Sequence, residues 1–313
     1  MRGGKGAGMF MRKLADIAVV LAAAMLTVVP VAAQEAPSEA LKAPATTAYA
    51  MPGTQVFDMT AKDDGGVYRI FVSVPSSPAP AGGYRVLYVL DGNAHFAGFA
   101  GARALQEIGK SPEGQVMVVG LGYPVDQPFD FARRGYDLTP AWTGPMPDLP
   151  AGAPRPRTGG QEHLARFLLE QLRPEIARRY PVNTAHQALF GHSLGGLFAL
   201  HMLYTRPTAF EAIVAASPSQ WWDGQALLTE ERAFAGQLTA GRIKGEPARL
   251  LLLTGEQDDT ASITWDAAAL AQRLAPLSAY GLRTVFAAFP GEGHMSVPYR
   301  AVTPTLRFVA GKP

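Results

Sequence analysis

The sequence predicts an α/β fold: a mostly parallel central sheet with an N-terminal antiparallel hairpin and helices on both faces. Three observations carry this expectation. Residues 55–60 and 67–74 alternate apolar and polar positions around Asp63-Asp64-Gly65-Gly66, which is the pattern of two antiparallel strands joined by a turn. Residues 84–90 and 115–121 are continuous apolar runs, as expected of strands covered on both faces, and the helix-like stretch 94–108 lies between them as in a βαβ unit. Further along, 189–200 reads Leu-Phe-Gly-His-Ser-Leu-Gly-Gly-Leu-Phe-Ala-Leu, where Gly191, Ser193 and Gly195 form G-x-S-x-G between an apolar strand and a helical stretch.

The chain has 313 residues and begins with a segment of its own character. Met11-Arg12-Lys13 is a positive start, 14–29 is almost wholly apolar, and Val31-Ala32-Ala33 supplies small residues where cleavage would occur. That is a secretory signal peptide over 1–33, with Met9 and Met11 as alternative starts, and it places the mature chain in the periplasm. A permanent anchor is the competing reading, but no basic stop-transfer cluster follows, so no stable membrane insertion is expected after cleavage. Residues 34–53, rich in Ala, Pro and Ser, read as a flexible tether. Roughly 280 residues remain after the leader, enough for one large domain over 54–313, and no linker divides them.

Composition excludes several classes. With no cysteine, neither a disulfide scaffold nor a thiolate metal site is available. A net charge of +2, evenly spread, gives no footprint for nucleic acid. Neither a metal nor a cofactor is expected, and the partner is a small-molecule substrate.

The remaining elements follow in order. Residues 128–160 lose regular patterning and carry prolines 145, 147, 150, 154 and 156, as expected of a substrate-facing flap. A helical stripe at Leu164, Phe167, Leu168, Leu172 and Ile176 runs through 161–180, and the strand before the G-x-S-x-G pattern starts near Gln187. Short apolar strands are expected at 212–216, 249–253 and 284–289, with a helix over 265–277 before the last. Residues 295–309 read as a closing helix that Pro298 and Pro304 start or kink.

A serine hydroxyl is a poor nucleophile at neutral pH and needs a base within reach. The G-x-S-x-G turn holds Ser193 in a strained backbone with its Oγ exposed. Of the histidines 95, 163, 186, 192, 201 and 294, only His294 follows the final strand, where the base of such a site belongs. His192 adjoins Ser193 but should point elsewhere, and His201 should be packed or on the surface. The acid that orients the base is expected after strand 249–253. Asp258 stands three residues beyond Gly255, with Asp259 and Glu256 as alternatives. Backbone N–H groups of Leu194 and of Gly92 or Asn93 are the candidates to receive an oxyanion.

Several stretches together resemble the putative-esterase family of α/β-hydrolases. They are Leu90-Asp91-Gly92-Asn93-Ala94, Arg133-Arg134 followed by Tyr136-Asp137-Leu138-Thr139-Pro140, Gly191-His192-Ser193-Leu194-Gly195-Gly196, Ser217-Pro218-Ser219-Gln220-Trp221-Trp222 and Gly293-His294. The likeness is to periplasmic siderophore esterases acting on enterobactin and salmochelin trilactones, and it runs from about Gln55 to the C-terminus. It implies an α/β-hydrolase fold and a catecholate siderophore as substrate, ferric or iron-free. Arg133 and Arg134 could then pair with catecholate oxygens while Trp221 and Trp222 meet rings, or the arginines could brace the flap through Asp137 and a tryptophan belong to the core. Some members of that branch work with a Ser-His pair lacking a well-placed acid, which leaves the role of Asp258 open. The other readings are a general carboxylesterase or acyltransferase on the same fold, and a siderophore-binding protein without catalysis.

Overall fold

In the computed structural model of the protein, residues 49–144, 156–258 and 267–311 are described. The expected signal peptide and most of the tether lie outside these residues, as do 145–155 of the expected flap, Asp259 and the start of the helix expected over 265–277. The compact unit that carries the sheet comprises Pro52–Thr143 and the chain from Pro156 onward.

Eight strands form one sheet: β1 Thr54–Thr60, β2 Val67–Ser73, β3 Tyr84–Leu90, β4 Val116–Gly122, β5 Val182–His192, β6 Ala212–Ala216, β7 Arg249–Gly255 and β8 Thr284–Phe289. Their order is β1-β2-β4-β3-β5-β6-β7-β8. β1 pairs antiparallel with β2, and β2 with β4, while every later pairing is parallel. The expected hairpin and parallel sheet are therefore both present. Strand β5, which leads into Ser193, sits in the middle.

The buried runs fold as strands because side chains alternate between the two faces and both faces are covered. Val86, Tyr88 and Leu90 of β3 point into a core shared with Phe198 and Leu200 of α5 (Leu194–Thr205), the helix after the elbow. On the other face α1 (Gly92–Ile108) puts Phe99 against Phe190 of β5, ring centroids 4.8 Å apart. Both rings are fully buried, each contributing about 2–3 kcal/mol by removal from water. The closing helix α8 (Val297–Val309) packs on α1 and on β5 to β7. Pro298 falls in its first turn, where no N–H is needed, and Pro304 lies inside it.

Several elements differ from the expectation. The flap region holds a helix, α2 (Phe131–Asp137), capped by the Asp130 carboxylate accepting from Arg133 N–H at 3.0 Å. The stripe over 161–180 is α3 (Gln161–Arg166), a π turn over Phe167–Leu172 and α4 (Arg173–Arg179). Pro174 lacks the N–H that an α-helix would need there, and the wider turn comes just before it. Strand β5 begins at Val182, five residues before Gln187. Beyond Ser219 the chain forms a short turn at Trp222–Gln225 and then α6 (Leu227–Thr239), for which the sequence reading had no helix. α7 (Ala267–Leu274) precedes β8. Among the described residues no helix is long and apolar enough to cross a membrane.

Candidate active site

Ser193 joins β5 to α5 with φ 58° and ψ −118°, a conformation L-residues rarely adopt. Two glycines make this turn possible. A Cβ on Gly191 would collide with the Gly195 carbonyl, and one on Gly196 would stand 2.9 Å from Pro218 Cα. The turn is also tied to its neighbours. Ser193 N–H donates to Ala216 O at 3.0 Å, and Ser219 N–H donates to Ser193 O at 3.1 Å. Ser219 Oγ lies 3.3 Å from Ser193 Oγ. Positive φ recurs at Asp91 and Ser217, so strain gathers where β3, β5 and β6 end side by side.

The loop after β8 brings His294 to this edge. His294 Nδ1 is 3.2 Å from Asp258 Oδ1, and because a carboxylate only accepts, Nδ1 carries a proton, which in a neutral imidazole leaves the lone pair on Nε2. Asp258 Oδ2 accepts from Gly255 N–H at 3.0 Å, from Thr254 Oγ1 at 3.2 Å and from Ser217 Oγ. Burial alone would raise the Asp258 carboxyl, but the hydrogen bonds from His294, Ser217 and Gly255 outweigh it and hold it down to about 2. The carboxylate is thus ionised beside the imidazole throughout the neutral range. Glu256 is placed differently: its Oε2 accepts from Gly291 N–H at 3.0 Å, bracing the turn that leads to His294.

His192 plays a part the sequence reading missed. Its Nε2 donates to the main-chain carbonyl of His294 at 2.8 Å, with the two rings 4.6 Å apart. Burial and the neighbouring His294 push its pKa well below the ordinary histidine value, so it is a neutral tether for the loop. His95 stands edge-on to His192 at 5.7 Å, and burial lowers its pKa to about 4. His201 is buried between Glu230 and Glu162, while His163 pairs with Asp63 and His186 with Glu211.

The turn after β3 lies beside the elbow. Val89 is in register with Phe190, and three residues further Gly92 comes level with Ser193. Gly92 approaches Gly120 so closely that a Cβ would meet its carbonyl carbon at 2.9 Å. The Asn93 side chain is fully used: Oδ1 accepts from Tyr123 N–H at 2.8 Å, and Nδ2 donates to Tyr123 O and Val125 O. Gly92 and Asn93 open α1 and Leu194 opens α5, so their main-chain N–H groups have no acceptor one turn back in their own helices. Two helix starts therefore present donors on either side of Ser193.

The two arginines differ in exposure. Arg134 is buried and grips Asp91 with two hydrogen bonds of 3.0 Å, its guanidinium also lying over the Phe129 ring. Asp91 is the left-handed residue just before the Gly92 turn, so this pair fixes the turn's shape. Arg134 is thereby committed inside the protein instead of facing a ligand, which corrects the expectation that it meets catecholate oxygens. Arg133 reaches Asp137 at 3.4 Å and lies over the rings of Tyr68 and Tyr123. Burial raises the Asp137 carboxyl to about 6 in spite of Arg133. Trp222 is buried, with Nε1 donating to Pro140 O at 3.2 Å and its ring edge-on to Trp142 at 5.0 Å. It belongs to the packing that holds the chain after α2, so its expected contact with a substrate ring gives way to a structural role. Trp221 joins the same cluster, 5.7 Å from Trp222, and remains partly exposed.

Comparison with known proteins matches this geometry to a family. The family described as "Putative esterase" matches residues 65–292. Ferri-bacillibactin esterase BesA of Bacillus subtilis is 38% identical over 269 residues, covering 84% of this chain and 91% of the relative. The siderophore enterobactin esterase of Emericella nidulans is 39% identical over 178 residues, 54% of this chain and 59% of the relative. Among solved structures, the BES protein from Bacillus cereus superposes with a TM-score of 0.78 at 34% identity, covering 85% of this chain and 98% of that one. The family match takes in the elbow and the turn that carries Asp258, and it ends two residues before His294.

Proposed function

The chain belongs to the Putative esterase family of α/β-hydrolases and is a hydrolase of ester bonds, and from that premise we propose that it cleaves the lactone esters of a catecholate siderophore through an acyl-enzyme on Ser193. The observation that carries the reading is the buried, ionised Asp258 on Nδ1 of His294, one loop away from a strained serine. Siderophore esterases among the relatives support the substrate class.

The chemistry follows from the proton positions. Ser193 Oγ attacks the ester carbonyl carbon as its proton passes to His294 Nε2, and Asp258 stabilises the imidazolium. The negative charge that develops on the former carbonyl oxygen falls to the N–H groups of Leu194 and of Gly92 or Asn93. Collapse breaks the ester C–O bond, and the leaving alkoxide takes the proton from His294. Water, deprotonated by the same imidazole, then attacks the acyl carbon; the bond to Ser193 Oγ breaks, the acid leaves, and His294 returns the proton to Ser193 Oγ. No cofactor is needed for this sequence. Arg133 and Trp221, the partly exposed members of their clusters, are the residues we assign to the substrate's anionic and aromatic parts.

The reading extends to location. The basic start at Met11-Arg12-Lys13, the apolar run and Val31-Ala32-Ala33 support export to the periplasm with cleavage after Ala33. A C-terminally tagged chain is expected in the periplasmic fraction without those residues; full-length protein in the cytoplasm would refute it.

Product analysis after incubation with ferric and iron-free enterobactin tests the substrate. Ring-opened products at rates well above those for simple aryl esters are expected. Faster turnover of aryl esters would favour a general carboxylesterase, and binding without cleavage at any pH a siderophore carrier.

A further inference from the structure

A cavity of about 780 Å³ opens at the opposite end of the sheet from Ser193. It is lined where strands begin: Thr184 and Gln187 early in β5, Glu211 just before β6, Arg249 at the start of β7 and Thr284 at the start of β8. Ser193 stands six residues beyond Gln187 along the strand, a span of about 20 Å. This volume lies within the range of small-molecule sites, and no step of ester hydrolysis uses it.

Its charge is unbalanced in a specific way. Arg173 lines the cavity with its Nε donating to Gln187 Oε1, its Nη1 to Ala209 O at 2.8 Å, and its guanidinium 5.0 Å from the Phe210 ring centre. Those bonds engage two of its five donor hydrogens. Among the described residues no carboxylate is within ion-pair distance of Arg173, and burial, uncompensated by an acid, pulls its pKa down. Arg283, exposed on the rim, has no carboxylate partner among the described residues either. Glu211 is already shared by Arg85, His186 and Arg249. Glu246 alone adds an opposing charge on the rim. The wall also holds the Thr284 Oγ1, which is buried without a hydrogen-bond partner. A guanidinium with spare donors and no ion-pair partner on a cavity wall is the chemistry that recognises an oxyanion.

We propose that this cavity is a second ligand site, taking a small-molecule carboxylate or phosphate whose oxygens pair with Arg173 and Arg283. The site is independent of the esterase reading, because its residues lie at the other edge of the sheet.

Isothermal titration of the full chain with citrate and, separately, with inorganic phosphate tests it, and the arm that binds names the acid. Saturable binding of one or both anions is expected, weakened about tenfold or more by Arg173→Met and several-fold by Arg283→Ala, in line with loss of a charge-assisted hydrogen bond. Binding should be unchanged in Ser193→Ala, and ester hydrolysis unchanged in Arg283→Ala. Should Arg173→Met fail to fold, Arg283→Ala and Thr284→Val decide, since neither removes a buried charge. Absence of saturable binding by both anions, or equal binding by wild type and every cavity variant, overturns the proposal; loss of binding in Ser193→Ala would place the anion at the catalytic edge and overturn it too.

Discussion

His192 Nε2 donates to the main-chain carbonyl of His294 at 2.8 Å, so the residue before the elbow serine holds the loop that carries His294. Serine and imidazole are thus tied through neighbouring backbone, while Asp258 holds Nδ1 of the imidazole. Because the donor is buried and neutral, it adds no charge that would oppose an imidazolium on His294.

That tether is expected to show in kcat more than in KM. His192→Phe keeps a ring but loses the donor, and should lower kcat about tenfold with KM changed little, since a small displacement of a base is costly. His192→Gln, which retains an N–H, should recover part of the loss. Steady-state kinetics on both variants checks this, and an equal fall in the two variants would point to packing alone.

Asp258→Asn should reduce kcat by about 10²–10⁴-fold, because the amide can present its own N–H to Nδ1 and favour the wrong tautomer. A rate within a few-fold of wild type would leave catalysis to Ser193 and His294 alone. The sequence left that possibility open.

Two buried aspartates should give stability opposite slopes with pH. Asp258 is lowered from 3.8 to about 2, so its contribution of about 2 kcal/mol is present above pH 4 and is lost as pH falls through 2. Asp137 is raised from 3.8 to about 6, so its contribution, roughly 2–3 kcal/mol, is present below pH 4 and is lost as pH rises through 6. Denaturant unfolding between pH 3 and 8 should show Asp137→Asn flattening the fall between pH 4 and 6 and leaving the acid limb in place.

Removing the Arg134 side chain leaves the Asp91 carboxylate buried without its partner, at an expected cost of about 3–5 kcal/mol. Arg134→Lys keeps the charge but not the paired geometry, and should lower kcat through the Gly92 turn more than it raises KM. A substrate-binding role would instead raise KM, and kinetics on Arg134→Lys separates the two.

Much of this was legible before the structure. The apolar runs marked β3, β4, β6 and β7 because a strand covered on both faces leaves a continuous signal, whereas β8 is apolar in sequence but lies at the exposed edge of the sheet. The position three residues beyond Gly255 pointed to Asp258, and the tight turn after β7 sets that carboxylate against His294 Nδ1. The short helix at Phe131–Asp137 escaped because the prolines that follow it dominate the segment, although Asp130 was a readable cap. The Arg134–Asp91 pair spans 43 residues, and the reach of His192 to His294 spans 102; neither has a local periodicity to betray it. Only the closing of the sheet brings them together. Trp221 and Trp222 showed their hydrophobicity in the sequence but not the third ring, Trp142, that holds them.

The most direct measurement is the rate of ring-opening of enterobactin by wild type and by Ser193→Ala, followed by chromatography under identical conditions. In the proposed mechanism the hydroxyl at the elbow forms the acyl-enzyme, so the variant should lose about 10³-fold or more of kcat while still binding the siderophore. Turnover by Ser193→Ala at the wild-type rate would contradict the account.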